Sequence, residues 1–514
     1  MIRASFTMRR VSKKKTLLVL TLWMMYSGAA VQAMASDIGE STWRRSALSE
    51  EVPPGRPGDL PSLPHLLSLA LKNDSQLARQ RYRMQATRQE IPKATAGLKP
   101  QVSANIGYSY QQADNIYTDN PERYPDEVYD DRVSGVTDDT YWQVELSQPL
   151  FNLERWKGID RAREEVDAAL LEVAVTERDL ALEVVSAYLD AYLASSKKGL
   201  LEAKEESLAL QRRQSQRAYE LGLGDRINVM EAQARLDQTV ADQVEAENEL
   251  DNALSDLQRL TGRLADFSGM ALGDLESVEL DRQHHAQRQR WLERADDNVQ
   301  VLLARQQYEV ARRDTEVRRA SRYPQLNLNL SYGDRRSSDE LRRSRDLTAS
   351  VELSADLYRG GYTTANIRQG ELTNLAGREA VFNESRLATV EIQRRLRNLE
   401  GGFRRLDALS RSIESSGLFL QAAILGEDLG LRDLVDVIDA RAELYDLRIR
   451  FVEVICQHIA DRLNLEAAVG DLDTADLFDA MSLLQRITTS KADDVRRTAG
   501  TPSLSDIKDV YASP

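Results

Sequence analysis

The sequence predicts a mainly α-helical chain that also carries four strands of a membrane β-barrel, laid out as two internal repeats. Three observations predict it. Leu221–Leu236 (LGLGDRINVMEAQARL) and Leu429–Leu444 (LGLRDLVDVIDARAEL) align without a gap at an offset of 208 and share eight of sixteen positions. Each copy holds a Gly-containing turn and an Asp that can cap a helix, and long helical sequence flanks it on both sides. Each therefore reads as the tip of a helical hairpin. Four short segments alternate apolar and polar residues with a period of two, the mark of strands with one dry and one wet face.

The chain opens with a targeting pattern. Arg9, Arg10 and Lys13–Lys15 precede the apolar run Leu17–Tyr26, and the A-x-A-like sites end at Ala33 and Ala35. Residues 1–35 are expected to be a cleaved signal peptide rather than an anchor helix, because the apolar run is short and the cleavage signal follows it directly. Residues 36–64, with five prolines, are expected to be an extended linker. The first repeat is assigned to 65–268. It begins with a helix to Lys99, interrupted near Pro92, then strands 101–111 and 140–151 around an acidic loop. On the first strand Val102, Ala104, Ile106, Tyr108 and Tyr110 share a face; on the second Trp142, Val144 and Leu146 do. A helix of about 69 residues from Asn152 to Glu220, about 100 Å long, descends to the tip at 221–227. Its seam is Val166, Leu170, Val173, Leu180, Val184, Ala187, Ala191 and Ala194, interrupted by Glu177. A returning helix stops at Gly262.

A connector at 269–290 leads into the second repeat, 291–470, which contains a helix, strands 325–333 and 346–357 and a second long helix with its tip at 427–434. VELSADLY (Val351–Tyr358) matches VELSQPLF (Val144–Phe151) at an offset of 207. Helix lengths close if each long helix lies beside two shorter ones stacked end to end. The segment before the first strand is then expected to flank the second long helix. Residues 471–514 are expected to be a polar tail.

Composition narrows the function classes. With 42% hydrophobic and 29% charged residues the chain suits long solvated helices, and a net charge of −14 disfavours nucleic acid as a partner. One cysteine excludes an intrachain disulfide framework, and neither a metal site nor a cofactor or enzyme motif is recognisable. Outward Tyr108, Tyr110, Trp142 and Tyr332 suit a lipid-facing surface with interfacial aromatics; Glu145 and Glu352 suit a watery lumen. Hydrocarbon tolerates only closed sheets and the smallest bacterial barrels have about eight strands, so four strands per chain require an oligomer. A soluble amphipathic sheet, or a periplasmic coiled-coil scaffold without a pore, is the competing reading.

The PQ strand starts (Pro100-Gln101, Pro324-Gln325), QPLF at Gln148–Phe151, LYRGG at Leu357–Gly361 and the two tips together resemble the TolC-type outer-membrane efflux protein family. The resemblance spans about residues 65–470. It implies a homotrimer with a twelve-stranded barrel in outer-membrane lipid, continuous with a periplasmic helical tunnel. It also implies a periplasmic membrane-fusion adaptor protein docked at the tips and an inner-membrane transporter, either an RND pump or an ABC exporter, that supplies the energy. The exported substrates would be small toxic compounds or secreted polypeptides, with no catalysis and no cofactor. Asp436 and Asp439, three apart on one helix face, match the family's aperture aspartates, and Arg432 matches its gate arginine. Glu427 and Asn228 replace two latch residues and could bond to each other, while Ile227 stands where the arginine's partner would be. Glu231 is assigned to the same aperture. Leu221, Gly222, Leu223, Leu429, Gly430 and Leu431 match the adaptor-receiving tips.

Overall fold

The computed structural model describes residues 60–116, 133–222, 224–267, 270–272, 288–338, 342–429 and 431–490. The expected signal peptide, most of the linker, most of the connector and the end of the tail lie outside these residues, as do Leu223 and Gly430.

The N-terminal helical stretch forms three pieces rather than one. These are α1 (Leu63–Asn73), α2 (Ser75–Arg88) and α3 (Glu90–Ala96). The first break falls at Asp74, whose carboxylate accepts from the Leu77 amide at 2.6 Å and so starts α2 afresh. Pro92 sits in the first turn of α3, where its missing N–H removes no intrahelical bond.

Strand β1 (Gln101–Ile116) pairs with β2 (Val133–Phe151); both extend well into the stretch the alternation left as a loop. Asn152 ends β2 and caps α4 (Leu153–Glu220), its side-chain oxygen accepting from the Arg155 amide at 3.0 Å, so strand and helix join directly. The return is α5 (Arg226–Thr261), capped by Asp225 and ended by Gly262 at φ +73°. A short strand, β3 (Met270–Leu272), precedes α6 (Arg288–Glu293) and α7 (Val299–Ala320). Then come β4 (Gln325–Ser337), β5 (Ser344–Ser354), α8 (Tyr362–Asp428) and α9 (Leu434–Ala468). β5 ends three residues before its expected limit.

Beyond Asp471 the sequence reading expected only a polar tail. Instead α10 (Thr474–Ile487) buries Leu477, Ala480, Met481, Leu484 and Ile487, and β6 (Thr488–Ser490) pairs antiparallel with β3. A 3/4 apolar spacing inside a polar stretch is enough to form a packed helix. The Tyr192 hydroxyl lies 2.8 Å from Thr488 Oγ1, and the Tyr188 hydroxyl donates to the Pro61 carbonyl at 2.8 Å. The middle of α4 thus gathers both ends of the described chain.

The strands form one antiparallel sheet in the order β1-β2-β4-β5. Helix α4 is the hub: α1, α2, α3, α5, α7 and α9 all pack along it, whereas α8 packs against α7 and α9. The N-terminal helices therefore lie on the first long helix, not on the second as their lengths suggested. Most of the α4 seam is buried as its spacing predicts, Val184 and Ala191 fully so. Leu170 is instead about one-third exposed. Glu177, the polar interruption, is buried and accepts from Arg81 of α2 at 2.8 Å. A buried carboxylate is tolerated only with such a partner.

Candidate functional site

Two regions carry the expected function, the sheet and the paired tips. In the sheet, residues directly opposite one another share a face. The register aligns Val102, Leu146, Leu330 and Ala349 in one row and Ala104, Val144, Tyr332 and Leu347 in the next. Ile106 and Trp142 follow, then Tyr108 beside Thr140. On the opposite face Ser103, Glu145, Ser331 and Thr348 form a row, and Glu352 lies opposite Asn327. The alternation of each strand is thus kept in phase across all four. Trp142 and Tyr332 meet edge to face at 5.5 Å, and Tyr108 donates to Asp138 at 2.7 Å. Pro149 cannot donate to the ladder, and the β2–β4 register shifts between it and Phe151. Strands β1 and β5 each have one edge without a strand partner among the described residues.

At the tips, α9 lies against both helices of the first hairpin. Ile438 is fully buried with Leu208 of α4 and Ala232 of α5, while Val437 and Ala440 pack on Ala423 of α8. That packing turns Asp436 and Asp439 outward together, each about half exposed. Neither is free of partners. Asp439 accepts from Arg235 of α5 at 2.9 Å, and Asp436 pairs with Arg432 one turn earlier at 3.4 Å. The Arg432 guanidinium also stands 5.3 Å over the Phe419 ring.

The expected Glu427–Asn228 bond is replaced by another. Asn228 donates across the tips to Asp433 at 3.4 Å, and Glu427 sits in the last turn of α8. Asp433 is free for this because, unlike Asp225, it makes no side-chain cap to its own helix. Further up, Lys204 pairs with Asp446 at 2.9 Å, and Arg441 donates to Ser207 at 2.6 Å. Glu231 is half-buried on α5, one residue before fully buried Ala232.

In the turns, Leu221, Leu429 and Leu431 are exposed and apolar, and Gly222 has φ +71° with open space where a Cβ would stand. Gly426, by contrast, leaves room for Arg432 to fold back: a Cβ there would lie 2.9 Å from its Cγ. Arg235, Lys204 and Gly426 are the contributors that the sequence did not reveal, and Asp433, read there as a helix cap, makes no cap and takes the cross-tip bond instead. Charged residues are too frequent here for pairing across 200 positions to be read, although the missing cap at Asp433 marks it once the fold is known.

Residues 66–263 and 291–471 match the model of the outer membrane efflux protein family. The chain belongs to that family. It is 25% identical over 424 residues to outer membrane protein TolC of Vibrio cholerae, covering 81% of this chain and 92% of the relative. It is also 25% identical over 429 residues to the proteases secretion protein PrtF of Dickeya chrysanthemi, covering 81% and 90%. Among solved structures, the Campylobacter jejuni CmeC outer membrane channel superposes with a TM-score of 0.66 at 15% identity, covering 88% of this chain and 94% of that one. The outer-membrane channel OprN gives 0.66 at 18%, covering 84% and 92%. As a member of the family the chain is an outer-membrane efflux or secretion channel with a large periplasmic helical part.

Proposed function

We propose that three copies of the chain close a twelve-stranded barrel and a helical tunnel, forming the exit duct of an export machine. The observation that carries this is the set of unpartnered edges. Among the described residues β1 and β5 each keep one edge open, and Leu375, Phe382, Leu387 and Val390 stand about half exposed along α8. An open sheet edge costs several kcal/mol per unpaired group in hydrocarbon. The segment expected beside α8, residues 65–99, packs instead along α4 of the same chain. A neighbouring copy supplies it.

The tips are the periplasmic gate and the adaptor dock. Asp436 and Asp439 of each copy bring six carboxylates towards one aperture, which attracts cations and repels anions. Arg235–Asp439 and Asn228–Asp433 tie the second hairpin to the first and latch it shut; parting the hairpins breaks both. The exposed leucines of the two turns, Leu221, Leu429 and Leu431, receive a periplasmic adaptor that links the duct to an RND pump or ABC exporter, which supplies the energy, so the duct itself performs no catalysis. The likeness to PrtF supports secreted polypeptides, alongside small toxic compounds, as cargo.

In mild detergent the purified protein should run with the mass of three chains and collapse to one on boiling. A stable monomer that still inserts in bilayers would overturn the proposal.

A further inference from the structure

The lipid-facing side of the sheet carries cations among its outer aromatics. Following the same rows outward, away from the helices, Trp142 lies opposite Asp334, Asp334 opposite Arg345, and Thr140 opposite Arg336. Arg336 and Arg345 therefore share the face of Trp142 and Tyr332: Arg345 lies in the row of Ile106 and Trp142 and Arg336 in the row of Tyr108, inside the aromatic rim of the apolar band. Their side chains are 81% and 67% exposed, the freest cations among those ion pairs of the hairpin end. Both reach toward one carboxylate, Asp334, with Nε distances of 3.5 and 3.8 Å. Two guanidiniums around a single carboxylate leave one positive charge in excess at Asp334, whose side chain is only 13% exposed; the next carboxylate on this face, Asp138 one row outward, is engaged by the Tyr108 hydroxyl.

The neighbouring cations are otherwise engaged. Arg335 is on the opposite face, 5.7 Å from the Tyr141 ring. Arg343 donates to the Ser337 carbonyl at 2.9 Å, and Arg342 lies near Gln111 and Asp139.

The geometry points to a headgroup site: Arg336 and Arg345 grip the phosphate of an anionic lipid in the outer leaflet, oriented by Asp334. A guanidinium offers forked donors that match phosphate oxygens. In this rim the lipid's chains lie along Leu347 and Val351, on the helix-ward side, while its phosphate reaches the arginines beside Trp142. Free phosphate would find the charge but not the apolar band. The site therefore selects an amphiphile. The inference rests on the band facing lipid, as proposed above.

The test uses the full-length protein reconstituted from detergent into vesicles of phosphatidylcholine alone, or with a tenth of phosphorylated or dephosphorylated lipid A. Lipid retained through native mass spectrometry is then counted. Wild-type protein should retain the phosphorylated lipid over its dephosphorylated form by about tenfold or more, from roughly a kcal/mol per arginine near the surface. The double variant Arg336→Gln/Arg345→Gln should lose that preference while assembling and inserting normally. Arg336→Lys/Arg345→Lys should keep part of it, and Arg335→Gln all of it. Millimolar inorganic phosphate should not compete. Equal retention in wild type and the double variant, or full competition by inorganic phosphate, overturns the site while leaving the barrel intact. Failure of wild-type protein to enter neutral vesicles would instead overturn the membrane reading and this one with it.

Discussion

Helices α4 and α8 begin the same way, after matching VELS strands, and run 68 and 67 residues to matching turns, yet they live in opposite surroundings. α4 is enclosed. Tyr188, Tyr192 and Val184 in its middle are essentially inaccessible, and six other helices line it. α8 buries Ile392, Leu396, Leu399 and Leu406 on one side only; Leu375, Phe382, Leu387 and Val390 face outward. Two equal repeats in a closed ring should have equal neighbours. The inequality teaches that within one chain α8 lacks on its outer side the neighbours that α4 has, the face that the proposed trimer would cover with another copy.

The comparison breaks most sharply at single apolar positions. Val184→Asp would put an unpaired charge into a fully buried seam, which costs several kcal/mol, and should abolish folded protein altogether. Phe382→Asp on α8 should leave a folded chain, read by circular dichroism, and prevent assembly, read by sedimentation. If both variants fold and assemble alike, the two helices are not differently placed.

The tips sharpen it next. Releasing Asp439 by Arg235→Gln should cost folding stability no more than about 1 kcal/mol, since both partners are half exposed. It should nevertheless raise single-channel conductance severalfold, because the pair spans the two hairpins. Asp436→Asn with Asp439→Asn should lower cation preference and remove block by trivalent cations from the periplasmic side. A double variant blocked with unchanged affinity would remove these aspartates from the aperture. Gly222→Val should cost about 1–2 kcal/mol locally at its left-handed φ and impair transport while assembled protein remains in the membrane.

The smallest effect concerns the junction of α9 and α10. Burial first, then the nearby Asp476 and Asp471 carboxylates, raise Glu466 from 4.5 to about 7, opposed by Arg462 and Arg294. Between those values the folded chain holds a proton that the unfolded chain has released, so the junction weakens as pH rises through about 4.5 to 7. Hydrogen exchange across 462–484 should be slower at pH 5 than at pH 7.5, after correction for intrinsic rates. Glu466→Gln should flatten the difference.

Periodicity made the helices, strands and tips readable, because burial on one face leaves a 3.6 or 2 repeat in the residues themselves. Gly262 and Asn152 announced their boundaries by chemistry. The position of α1–α3 was not readable: helix lengths alone allow them to lie beside either long helix, and it is polar pairs such as Arg81–Glu177 and Gln80–Glu172 that tie them to α4. At the gate, Asp436 and Asp439 were legible as one face, but their partners were not. Arg235 lies on another element, one of many arginines in a charge-rich chain.

In the proposed trimer α8 of one copy meets α2 of the next. Gln80 donates to Glu172 of α4, Gln306 of α7 to Glu164 of α4, and Ser385 of α8 to Asp296 just before α7, so Tyr82 and Leu387 fall near the same level along the helices. Both are exposed, at 70% and 54%. Protein carrying Tyr82→Cys and Leu387→Cys, with the buried Cys456 replaced by Ser, should be treated in mild detergent with a short bis-maleimide and then boiled. The account predicts covalent species ending at three chains, and no trimer when either cysteine is present alone. Monomers only, or a ladder running past three, would contradict it.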